Sequence, residues 1–233
     1  MEDSAELDVT FIGAPGAQLE ALAISNGKIV ASGQLRQVLL ETTGIAEAAV
    51  DECDAFVLVG LQFTVNRCAQ LFATHRTWRA DDPEVADANG WFFASRPFLL
   101  AATEERLRQS AAMSLVDRLR ALTAAPILLV PQPNLSERVL ELDSKSREVW
   151  RELHAHGRGK EVRSIYEDAC RALSGDFEIV RQPSETIVHD IFTLDRYDCA
   201  NPSKRPITNF HISHANVEYG RLVVRDLLDR LGS

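Results

Sequence analysis

"HISHANVEYG", residues 211–220, sets two histidines three positions apart ahead of an Ala-Asn pair, and an apolar run then carries the chain to its end. His214 is a candidate general base, and its use depends on what the rest of the chain places beside it. Glu218 lies four residues on, which puts both on one face of a helix beginning here and makes Glu218 a candidate orienting carboxylate. His211 and His214 together offer two imidazole nitrogens. The Glu and third ligand of the zinc-protease helix pattern are missing, so no metal is expected.

Upstream of this block, short apolar runs alternate with helical patterns. "LDVTFIG" (7–13), "GKIVASG" (27–33), "DAFVLVG" (54–60), "APILLVPQP" (125–133) and "DFEIVRQP" (176–183) read as five strands. They are continuous apolar runs without strict alternation, as strands covered on both faces require. "GQLRQVLLET", "ATEERLRQSAAMSLVDRLRALTA" (102–124), "SKSREVWRELHAHG", "VRSIYEDACRALSG" and "NVEYGRLVVRDLLDRLG" read as helices, the fourth capped by Gly175. This alternation predicts an α/β fold: a single domain over 1–233, three α/β/α layers around a five-stranded parallel sheet. The segment 74–96, rich in turn formers and aromatics, reads as an irregular insert over the cleft.

The totals narrow the function. The chain has 233 residues, long enough for a substantial core, and a net charge of -9 without a basic cluster, which argues against a nucleic-acid partner. No run is long and apolar enough to span a membrane, and the acidic start lacks the pattern of a secretory signal, so a cytoplasmic location is expected. Cys53, Cys68, Cys170 and Cys199 form no CxxC pair and read as free thiols. Gly13-Ala14-Pro15-Gly16 matches neither phosphate-binding glycine pattern and reads as a tight turn, so no cofactor is expected.

In open α/β sheets ligands bind beyond the carboxyl ends of the strands. That rule points to Gly13-Ala14-Pro15-Gly16, Ser32-Gly33, Gly60-Leu61-Gln62, Pro131-Gln132-Pro133-Asn134 and Gln182-Pro183. With this segment order, "HISHANVEYG" resembles the closing block of the SGNH/GDSL hydrolases. "PILLVPQPN" and "IVRQPSETIVHDIFTLDRY" resemble their fourth-strand and post-fifth-strand segments. The resemblance implies an SGNH-hydrolase-like (flavodoxin-like) domain. It places an oxyanion hole at Gly13, Ala14 and Pro15, at Gly33, and at Gly60 with Gln62, and a base at His214.

The departures bear on activity. Where the family has Gly-Asp-Ser this chain has Gly13-Ala14-Pro15, so proline holds the nucleophile position. His211 stands at the Asp position of Asp-x-x-His and cannot supply the negative charge that orients the base. Gln62 replaces the asparagine of Gly-x-Asn. The resemblance then implies a catalytically degenerate hydrolase-like protein whose cleft binds an acylated saccharide or a protein partner. Two other readings stay open: an esterase or acyltransferase with a rearranged site using His214 and water, and a purely structural subunit. His75, Arg76, Trp78 and Arg79 in the insert are candidate contacts for a carboxylate, phosphate or sugar ring. The pair His189-Asp190 is a candidate replacement carboxylate. Oligomeric state is not legible.

Overall fold

The computed structural model describes residues 8–14, 16–79, 91–142, 144–199 and 212–232. Its first sheet is antiparallel, with β1 (Ala23–Ser25), β2 (Lys28–Val30) and β3 (Glu47–Ala49) in that order. β1 and β2 are joined by Asn26 and Gly27, both with positive φ (51° and 73°), and Ser25 faces Lys28 across the turn. An Asn-Gly pair in this mirror-image turn matches the twist of the flanking strands and closes a hairpin. α1 (Gly33–Thr42) follows β2.

β4 (Phe56–Val59) opens a second, parallel sheet. α2 (Asn66–Ala69) leads into the insert, where β5 (His75–Arg76) and β6 (Phe92–Phe93) pair in parallel. α3 (Arg96–Arg108) and α4 (Ala111–Arg120) then lead to β7 (Ile127–Val130). α5 (Glu148–Ala155) and α6 (Gly159–Leu173) precede β8 (Glu178–Ile179). The parallel sheet runs in the order β4-β7-β8. β9 (Ile187–Val188) and β10 (Phe192–Thr193) form a small antiparallel hairpin, and α7 (Val217–Leu231) ends the described chain.

The architecture is therefore mixed α/β with several small sheets, which corrects the expected five-stranded parallel sheet. Runs 54–60, 125–133 and 176–183 do supply the three parallel strands. Run 27–33 pairs with its sequence neighbours instead, because the Asn26-Gly27 turn folds the chain back on itself. Run 7–13 forms no strand over its described residues 8–13; Val9 and Phe11 are exposed, while Ile12 and Ala14 pack beside Leu58 and Leu61.

The helix expected over 102–124 is two helices. Ser110 breaks it: its backbone is extended and its hydroxyl accepts from the Met113 amide, which starts α4. Such a cap contributes about 1 kcal/mol. α6 ends at Leu173, and Ser174, not Gly175, caps it.

β7 is buried along its length. Ile127 and Leu129 face a core shared with Phe56, Phe63, Val116 and Leu173, while Leu128 and Val130 pack under α7 through Val223 and Leu227. This alternation covers β7, the central strand, on both faces, while the edge strand β4 leaves Val57 and Val59 exposed. A separate core joins α2, α3, α5 and α6 to Phe192 and Ile212.

Candidate functional site

Beyond the carboxyl ends of β7 and β8 lies a cavity of about 330 Å³. Pro131, Gln132 and Asn134 enter it from the end of β7, and Arg181, Gln182 and Ser184 from the end of β8. α6 stands over the strand ends and presents Arg163, Tyr166, Glu167 and Cys170, whose spacing puts them on one helical face. Val65, Ile179 and Ile187 complete an apolar wall. The volume falls in the range of small-molecule sites, roughly 300–1,000 Å³.

One side chain fastens the wall. Gln182 Oε1 accepts from the Asn134 amide at 2.9 Å, and Gln182 Nε2 donates to Thr186 Oγ1 and Thr193 Oγ1, each at 3.0 Å. Thr193 Oγ1 in turn donates to the Asn134 carbonyl at 2.7 Å. The loops after β7 and β8 and the hairpin strand β10 are thus tied through one amide. On the helix, Arg163 Nε donates to Glu167 Oε1 at 2.7 Å. Burial pushes the Cys170 thiol up to about 12, so it is a neutral thiol at neutral pH and a poor nucleophile.

The residues the sequence singled out are spread over different neighbourhoods. Gly60, Leu61 and Gln62 all have positive φ (74°, 48° and 61°), a tight turn after β4, beyond which the Phe63 carbonyl accepts from the Gln132 amide past the end of β7. For Leu61 and Gln62 this backbone is strained. The Gln62 amide oxygen accepts from Arg67 Nη2 at 2.6 Å, which folds the side chain back on its own turn. Gly13 offers its carbonyl to Thr42 Oγ1 at 3.0 Å, at the end of α1. Gly33 has φ +54° and begins α1. Ala14 shares a cluster with Leu61, so the first and third segments are neighbours. Pro15 and His211 lie outside the described residues.

His214 is exposed, with its Nδ1 3.2 Å from Ser213 Oγ. Its segment is fastened elsewhere: Ser136 N donates to the Ile212 carbonyl, Cys199 N to the His214 carbonyl, and Ala215 bridges to Asp198. Asn216 caps α7 by accepting from Tyr219 N at 3.1 Å, so Glu218 sits exposed on the first turn. His189 and Asp190 form the turn of the β9–β10 hairpin, both with positive φ, and His189 Nε2 lies 3.8 Å from Glu137. In the insert, Arg76 is buried against Glu152 at 2.7 Å with its guanidinium over the Trp91 ring, and Arg79 reaches Glu161 at 3.2 Å. These two arginines hold the insert to α5 and α6. Trp78 is exposed, and the His75 ring contacts Phe92 and Phe98.

Asp198 is a carboxylate that sequence reasoning missed, because tertiary pairing of 197–199 with 214–216 brings it to the His214 block. It is buried, and burial pushes its carboxyl up from 3.8 to about 6 against the opposing hydrogen bond with Ser136. A carboxyl that holds its proton more tightly folded than unfolded favours the fold at low pH. That advantage is lost as pH rises from about 4 through 6, at 1.36 kcal/mol per pH unit, or about 3 kcal/mol. Asp198→Asn should therefore stabilise the protein at pH 7.5 and change little at pH 4. Urea midpoints of both proteins at the two pH values measure this; equal shifts at both would contradict it.

The four cysteines are free, with Cys68 and Cys170 buried and Cys199 exposed. Among the described residues no helix is long and apolar enough to cross a membrane. No family model, curated protein or solved structure matches this chain.

Proposed function

We propose that this chain is a non-covalent binding protein for a small acylated saccharide, held in the cavity beyond β7 and β8. The cavity's mixed lining carries this reading. The side-chain amides of Gln132 and Asn134 have no hydrogen-bond partner among the described residues. An amide both donates and accepts, which suits sugar hydroxyls. Val65, Pro131, Ile179 and Ile187 offer the apolar surface an acyl group needs. The resemblance of the closing block to SGNH hydrolases agrees with a sugar-acyl ligand. The proline at position 15 and the high affinity of Cys170 for its proton argue against an acyl-enzyme route.

Saturation-transfer NMR and calorimetry with N-acetylglucosamine test the proposal, against Gln132→Ala/Asn134→Ala. Each lost hydrogen bond is worth about 1 kcal/mol, so affinity should fall about tenfold or more. In parallel, p-nitrophenyl acetate hydrolysis should match the blank. Hydrolysis by the wild type that disappears in His214→Ala would replace the binding reading with a water-activated esterase.

A further inference from the structure

Resting on the binding reading above, we infer that the ligand carries an anionic group, a carboxylate or a phosphate, and that Arg181 receives it at the mouth of the cavity. Three charged side chains line this cavity. Two of them, Arg163 and Glu167, neutralise each other. Arg181 is exposed and has no ion-pair or hydrogen-bond partner among the described residues. Acidic side chains are not scarce, since the chain carries 34 against 25 basic ones. The carboxylates nearest in sequence are engaged by other arginines: Glu178 by Arg230, and Glu185 by Arg225 at 3.9 Å. Each neighbouring acid thus has another cation, and the Arg181 guanidinium is left over at the edge of a cavity. Its field also reaches the interior, where it acts on the Cys170 thiol in opposition to burial.

A guanidinium presents a planar fork of donors that fits a carboxylate or a phosphate with two parallel hydrogen bonds. Beside it, Ser184 and the amides of Gln132 and Asn134 supply neutral donors and acceptors for hydroxyls. The combination selects an acidic, hydroxyl-rich small molecule over a neutral sugar. Discrimination comes from Arg181, and the neutral contacts are shared by both ligands.

The test is calorimetric titration of the full chain with three probes: N-acetylglucosamine, its 6-phosphate and its 6-carboxylate. We expect at least one anion to bind tenfold or more tighter than the neutral sugar, and to lose that advantage in Arg181→Gln and at high salt. The phosphate and carboxylate arms identify which anion the site prefers. Arg181 is on the surface, so the variant should keep the wild-type melting temperature, which is checked alongside. Equal affinity for all three probes would overturn the inference and leave the binding reading standing. So would an Arg181→Gln variant that weakens the neutral sugar as much as the anions. If none of the three binds, the binding reading fails and the inference with it.

Discussion

Phe192→Ala should destabilise the protein by about 3–5 kcal/mol, measured as a lower urea midpoint. Phe192 is fully buried, its ring 5.8 Å from that of Trp150 and 6.1 Å from that of His154. It belongs to the core that holds Leu135, Val139 and Ile212. Truncation removes the transfer energy of a large ring and leaves a cavity that α5 cannot collapse to fill. Because Ile212 leans on the same core, the His214 segment should loosen first, and hydrogen exchange at 212–216 should rise more than at β7. Phe192→Leu, which keeps most of the volume, should cost much less. A truncation without measurable effect would mean that this core does not anchor the hairpin.

Arg158→Ala should cost a comparable amount, about 3–5 kcal/mol, by a different mechanism. The Arg158 side chain is 1% exposed, and its Nη1 donates to Glu161 Oε2 at 2.8 Å and to the Thr77 carbonyl at 3.1 Å. Glu161 is only 11% exposed and also accepts from Thr77 Oγ1 and Arg79. Removing the arginine strands a nearly buried carboxylate with fewer donors. The loss is the price of that desolvated charge more than the worth of the pair. Arg158→Met with Glu161→Leu should therefore recover much of the stability lost by the single variant. Urea unfolding of Arg158→Met, Glu161→Leu and the double variant closes the cycle. A double variant as unstable as Arg158→Ala would place the cost in packing instead.

The sequence and the structure agree where a local rule decides the outcome. α1 begins at Gly33 and ends at Thr42, as the run "GQLRQVLLET" implies. Three of the apolar runs became the parallel strands, and the central one, 125–133, is covered on both faces as its unbroken apolar pattern implies. The carboxyl-end rule named Pro131, Gln132, Asn134 and Gln182, and all four line the cavity. Two errors came from turn chemistry that was present in the sequence. Asn26-Gly27 is a hairpin signal, and Ser110 is a helix cap. Others were beyond local reasoning. Arg163, Tyr166, Glu167 and Cys170 share a helical face, but only tertiary packing sets that face over the strand ends. Asp198 reaches Ala215 across a gap in sequence that no periodicity spans. The place of His214 in the chain is set by main-chain bonds from its segment to Ser136, Tyr197 and Cys199, which no local pattern announces.

Gln182 uses both ends of its amide on protein partners. The loops it joins are therefore already in place before any guest arrives, and a guest need not freeze them. Association with such a wall carries little conformational tax, so differences in affinity between guests should appear in how fast they leave rather than how fast they enter.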